Sequence, residues 1–175
     1  MEGEYKEWYR NGQLSKQYNY FNGKMEGEYK SWYRNGQLSK QCNYFNGKYE
    51  GEYKEWHSNG QLWNHTWYKD GKIEGEYKEW CDNGQLRSLG FFKNNKLEGN
   101  YTIWHPTGKI HMEMPFVNNN LHGVFKTWYG NGQLLAEEHY KNDIKDGEFK
   151  KLDLQGKLLN HFIYKNNAII KNLLK

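Results

Sequence analysis

Aromatic and aliphatic positions recur along the chain at a fixed interval of 24 residues, marked by Gly3, Gly27, Gly51, Gly75, Gly99, Gly123 and Gly147. Counting from each glycine, position 3 carries Tyr5, Tyr29, Tyr53, Tyr77, Tyr101, Phe125 and Phe149. Position 6 carries Trp8, Trp32, Trp56, Trp80, Trp104 and Trp128, then Leu152. Position 12 is leucine or isoleucine throughout, and position 18 is Tyr20, Tyr44, Tyr68, Phe92, Phe116, Tyr140 and Tyr164. A fixed period in this range marks stacked repeats, in which each unit contacts its neighbours and the product is an extended surface. Residues 1–175 therefore read as a single array of seven units starting at 3, 27, 51, 75, 99, 123 and 147.

Polar turn signals punctuate each unit twice. Asn-Gly stands at positions 9–10 in five units, Asn11-Gly12 being the first. Asn-Gly or Asp-Gly stands at positions 20–21 in units one to three, and later units carry the weaker Asn94-Asn95, Asn118-Asn119, Asn142-Asp143 and Asn166-Asn167. Both signals predict two-residue type I′ hairpin turns, which need positive φ at both central residues. The segments between them are rich in Tyr, Trp and Phe and predict strands. No segment keeps a 3.6-residue apolar period, so helix is a poor reading. The expected fold is all-β, an elongated antiparallel meander of about seven β-hairpin repeats with about fourteen strands.

In unit one, a two-residue turn at Asn11-Gly12 sets Tyr9 opposite Leu14, Glu7 opposite Lys16 and Tyr5 opposite Tyr18, all favourable cross-strand pairs. Positions 3 and 6 differ in parity, so a regular strand points the tyrosine and the tryptophan to opposite faces. Either a bulge re-aims the tryptophan into the core or both faces are partly apolar. With the bulge, Trp8, Trp32, Trp56, Trp80, Trp104 and Trp128 form a structural core ladder, buried in units two to six.

Composition narrows the function classes. Mean hydropathy of −1.17 alone points to disorder. The 18% aromatic content and a net charge of only +4 point to a folded chain instead. Charge per unit stays between −1 and +2, with no basic stripe, so nucleic-acid binding is not expected. There is no signal peptide or long apolar run, and Cys42 and Cys81 stand at unmatched repeat positions. A cytoplasmic location is expected. The seven histidines occupy five different repeat positions, and no nucleotide-binding glycine motif occurs. No catalytic, cofactor-binding or metal-ligating residue is assigned, and no enzyme is expected.

The alternation of G-E-Y-K-x-W-Y with N-G-Q-L and Y-x-N-G-K resembles the MORN repeat in its variant form, over essentially the whole chain. The resemblance implies rows of β-hairpins used for protein interaction and sometimes linked to lipid headgroups. Bacterial proteins with the variant are often labelled antitoxin-like. A lipid-kinase label also travels with the family, but this chain has no room for a kinase domain beside its repeats.

One apolar feature breaks the repeat. On the face carrying positions 13, 15 and 17, unit one has Ser15, Gln17 and Asn19, whereas unit three has Trp63, His65 and Trp67. Unit four has Arg87, Leu89 and Phe91, and unit five begins with His111. These residues form a candidate partner-binding patch. The competing reading is a small second core in which Trp63 and Trp67 cover Trp56. The leading expectation is a non-catalytic repeat scaffold mediating protein–protein interaction through an aromatic sheet surface. One alternative is an antitoxin-like neutralising partner of a toxic protein. Another is a peripheral adaptor binding anionic membrane lipid, for which the basic units one and two offer some support. A sugar or choline binder built on aromatic cages would call for an export signal. Unit one reads as an interior repeat whose first strand, residues 3–10, leaves backbone groups unpaired. A homodimer through this N-terminal edge is therefore expected, with residues 171–175 as a C-terminal capping tail.

Overall fold

The computed structural model describes residues 2–174. Met1 and Lys175, the outermost residues of the expected array and capping tail, lie outside the described residues. All regular structure is β: β1 (Gly3–Trp8), β2 (Leu14–Phe21), β3 (Lys24–Met25), β4 (Gly27–Trp32), β5 (Leu38–Phe45), β6 (Lys48–Trp56), β7 (Leu62–Lys69), β8 (Lys72–Trp80), β9 (Leu86–Lys93), β10 (Lys96–Leu97), β11 (Gly99–Trp104), β12 (Ile110–Val117), β13 (Asn120–Leu121), β14 (Gly123–Trp128), β15 (Leu134–Lys141), β16 (Ile144–Leu152), β17 (Leu158–Lys165) and β18 (Ala168–Asn172). Among the described residues, pairing is antiparallel and follows chain order, as a hairpin meander requires. The strands exceed the expected number for two reasons. The chain beyond Lys165 adds β18, and three inter-unit strands are interrupted at position 24. The tail thus extends the meander by pairing β18 with β17, and does not fold over it.

The repeat-opening glycines mark a bulge. Between the pairs Cys42–Tyr53 and Tyr44–Tyr49, three residues of β6 face Asn43 alone, and Gly51 at their centre has φ of 80°. A side chain in that left-handed region costs energy, which explains a glycine every 24 residues.

The second turn forms as expected. Asn22 and Gly23 have φ of 49° and 73°, and the equivalent residues of all seven units share positive φ at both positions. The asparagine pairs of later units do not weaken it. The Asn167 and Asp143 side chains accept the backbone N–H of Lys145 and Leu121 at 2.8 and 2.7 Å, bonds that glycine has no side chain to make. Gly71 is therefore expected to tolerate asparagine with stability unchanged or raised, while Gly71→Ala loses about 1 kcal/mol to left-handed strain. The added Cβ meets only the Lys48 side chain, at 3.5 Å or more. Equal melting-temperature losses in both variants would remove the amide's role.

The first turn is a correction. Tyr9 N–H donates to Gln13 O at 2.8 Å, enclosing a three-residue loop, and of the Asn11-Gly12 pair only Gly12 has positive φ, 83°. This is a type I turn closed by a left-handed glycine. Asn11 serves as the cap, its Oδ1 accepting Gln13 N–H at 3.2 Å. The loop places Trp8, not Tyr9, opposite Leu14, and one bulged residue, Ser15, then restores the Glu7–Lys16 and Tyr5–Tyr18 pairs. The same shift recurs beside Trp32, Trp56, Trp104, Trp128 and Leu152. The bulge exists, but on the strand facing the tryptophan. It does not bury the ladder: Trp32, Trp56, Trp80, Trp104 and Trp128 are half-buried and Trp8 is exposed. Position 6 is the last residue in the strand register before the loop.

Contact density divides the chain into two compact units. The first comprises Met1–Leu86 with Phe92–Asn95, the second Arg87–Phe91 with Lys96–Lys175. In each, the residues withdrawn from water are small. Cys42 and Thr66 are 1% exposed in the first unit, and Ser88 and Ala136 are 2% and 7% exposed in the second. Large rings on neighbouring strands shield them: Cys42 pairs with Tyr29 and Tyr53, and Thr66 with Tyr53 and Tyr77.

Candidate functional site

Strand β7 alternates strictly. Asn64 and Thr66 point into the core, and Thr66 Oγ1 donates to Glu76 O at 3.2 Å. Trp63, His65 and Trp67 take the opposite face, with the two tryptophans 38% and 47% exposed. Both rings thus keep part of their surface in water. Each tryptophan leans on one imidazole, with ring centroids 6.2 Å apart for both His57–Trp63 and His65–Trp67. His65 Nε2 lies 3.0 Å from Glu52 Oε1, which also receives Lys54 Nζ at 2.7 Å. The hydrogen bond from Lys54, reinforced by His65, holds the Glu52 carboxyl below its ordinary value against the opposing effect of burial. The face therefore presents two flat apolar rings separated by a compensated polar group.

The other residues of the sequence-derived patch belong to the second unit. Arg87, Leu89 and Phe91 share one face of β9, with Arg87 exposed, Leu89 half-buried and Phe91 50% exposed. His111 has a different setting, stacked on His105 at 4.2 Å. Burial, and then the neighbouring His105, lowers the His111 pKa.

Several organising residues escape sequence reasoning. Position 7 varies among Tyr, His, Cys and Asp, yet Tyr9 and Tyr33 hydroxyls donate to the Trp32 and Trp56 carbonyls at 2.7 and 2.6 Å. His57 Nε2 reaches the Trp80 carbonyl at 2.9 Å, so that nitrogen carries the proton. In the second unit Tyr129 does the same to Leu152 O at 3.0 Å. Where position 7 is Tyr or His, the shared property is a ring with a donor at its tip. The glutamate at position 24 is a cap: Glu26 and Glu50 accept the Asn46 and Asp70 N–H groups of the following turns, both at 2.8 Å. Its recurrence beside a turn was the available signal. Sequence reasoning also passes over Phe21 and Phe45, 61% and 63% exposed, which flank a cleft of about 450 Å³ with Lys24 and Glu26.

Among the described residues, no three His, Cys, Asp or Glu side chains gather to hold a metal ion. No curated protein matches the chain. A family model for the MORN repeat variant matches residues 1–22, 25–46, 49–70, 73–94, 97–118 and 121–142. The seventh hairpin lies outside those segments but has the same register, with Phe149 opposite Phe162 and a shift beside Leu152. With the period, the paired turns and six consecutive matched segments in agreement, the chain belongs to the MORN repeat variant family, a family of repeat scaffolds.

Proposed function

We propose that this chain is a non-catalytic scaffold that captures a protein partner on the outward face of β7. The observation that carries the reading is the exposure of Trp63 and Trp67 on one strand, where the same face of unit one carries only Ser15, Gln17 and Asn19. Large exposed aromatics dominate the energetics of protein interfaces because they bury much area at little rotamer cost. Family membership supports the scaffold role.

A Trp63→Ser/Trp67→Ser variant is expected to lose the partner that the parent captures, while its stability moves by no more than about 0.5 kcal/mol, as for other surface substitutions. Capture quantified by mass spectrometry, alongside thermal unfolding, checks both halves. Undiminished capture by the double variant would rule out this face. Phe91→Ser, made separately, tests the second unit in the same way.

A further inference from the structure

The first-turn loops of the first two repeats differ from the others at one position. Position 8 is arginine in Arg10 and Arg34, then Ser58, Asp82, Pro106, Gly130 and Leu154, so the turn itself does not call for a guanidinium. Both arginines are exposed. Among the described residues every ion pair is made by a lysine or a histidine, and neither arginine meets a carboxylate. The two loops are nonetheless drawn together. The Tyr9 hydroxyl, bonded to Trp32 O at 2.7 Å, fixes its ring, and Arg34 leans back over that ring with Cζ 5.8 Å from the centroid. Asn11 Nδ2 donates to Arg34 O at 3.3 Å. Trp8, 59% exposed, joins these four residues in lining a cleft of about 700 Å³. Sites for small ligands span about 300–1,000 Å³.

We propose that this cleft binds a mononucleotide, its base stacked on the Trp8 indole and its phosphate held by Arg10 and Arg34. Two cations that line one cleft without a carboxylate leave positive charge for an anion to neutralise. Stacking on Tyr9 occupies one face of the Arg34 guanidinium and leaves its in-plane N–H donors free, and that edge grips phosphate bidentately. An exposed indole in the same cleft offers a flat platform, on which nucleobases stack through their own ring faces. Bare phosphate satisfies the arginines and leaves the indole uncovered. A nucleoside covers the indole and leaves the charge unmet. A mononucleotide does both at once. The cleft shares no residue with the outward face of β7, so it stands or falls independently of the scaffold reading.

The chain supplies its own test substitutions. Ser58 takes position 8 in the third repeat and Leu152 takes position 6 in the seventh, so Arg34→Ser and Trp8→Leu use side chains that the repeat already accepts. Adenosine monophosphate is titrated into the parent and followed by proton–nitrogen correlation spectra, in which each of the eight tryptophans gives an indole N–H signal. Saturable binding with a dissociation constant below about 1 mM is expected, with the largest indole shift at Trp8. Inorganic phosphate and adenosine, titrated separately, are each expected to bind at least about tenfold more weakly. Arg34→Ser is expected to weaken the nucleotide and phosphate alike by about tenfold or more, the loss of a charge-assisted bond. Trp8→Leu is expected to weaken the nucleotide by about tenfold and leave phosphate unchanged, a split that general loosening of the fold does not produce. The melting temperature stays put in both variants. Phosphate that binds as tightly as the nucleotide reduces the cleft to an adventitious anion site and overturns the proposal. Nucleotide binding that leaves the Trp8 signal in place, or no saturation up to about 10 mM, overturns it as well. An oligoadenylate strand that binds where the mononucleotide does not would overturn it in favour of a nucleic-acid track.

Discussion

Replacing Tyr49 by alanine is expected to remove about 3–5 kcal/mol of unfolding free energy, the range for large aromatic core truncations. Its ring lies 4.7 Å from Tyr44, 5.4 Å from Tyr53 and 5.0 Å from Tyr68, so three neighbours lose cover at once. The hydroxyl carries a second burden. Lys40 Nζ donates to it at 2.8 Å and stands 4.8 Å over the Tyr49 ring and 4.7 Å over the Tyr53 ring. Burial opposes the Lys40 charge, but the hydrogen bond to Tyr49 and nearby negative groups outweigh it and raise the pKa. Alanine strands that ammonium group, whereas Tyr49→Phe keeps the ring and forfeits only the charge-assisted bond, about 1.5–3 kcal/mol. Denaturant unfolding of both variants separates the contributions. An alanine variant within about 1 kcal/mol of the parent would show that these rings are a surface coat and not the core of the first unit.

Position 49 also shows what the sequence makes legible and what it hides. The 24-residue interval and the second turn were readable because each rests on a local backbone demand, positive φ, that few residue types meet. The first turn misled because Asn-Gly satisfies two geometries. In one both residues are left-handed, and in the other only the glycine is, with the asparagine capping through its side chain. The bulge at Ser15 then compensated so that the Glu7–Lys16 and Tyr5–Tyr18 pairs came out as expected from a wrong loop. The tryptophan ladder departs from expectation because the bulge lies on the strand facing the tryptophan and does not turn the ring inward. Constancy at position 6 is equally compatible with a half-buried ring whose backbone carbonyl must accept a donor from the preceding unit, as Trp32 O does from Tyr9.

The candidate site was legible where it departed from the repeat. Trp63 and Trp67 break a pattern of Ser, Gln and Asn, and the exposed face of β7 is where they stand. The links between units were not legible, since each joins positions 20 to 23 residues apart and tolerates several residue types. Tyr33 and His57 perform one task with different rings.

The second large effect belongs to Gly90, and its reason is invisible in sequence, where a lone strand glycine reads as weakness. Position 16 is Tyr18, Cys42, Thr66, Gly90, Met114, Glu138 and Phe162 in successive units, so the site accepts side chains elsewhere. In β9 it does not. A Cβ on Gly90 would overlap Tyr101 Cδ2 and lie 3.0 Å from Tyr101 Cε2 and 3.3 Å from Leu97 Cδ2. The glycine is buried and lies outside the left-handed region, so the penalty is steric and not conformational. The Tyr101 ring occupies the space that a side chain would need. Gly90→Ala is expected to cost about 1–3 kcal/mol, as overpacking does, in spite of the roughly 0.5–1 kcal/mol that alanine gains over glycine through chain entropy. The cause is separable by a double-mutant cycle. In a Tyr101→Leu background the flat ring is gone, and Gly90→Ala is expected to lose most of its penalty, a coupling of the size found between residues in direct contact. Equal losses in both backgrounds would place the cost in the β9 backbone and acquit the ring.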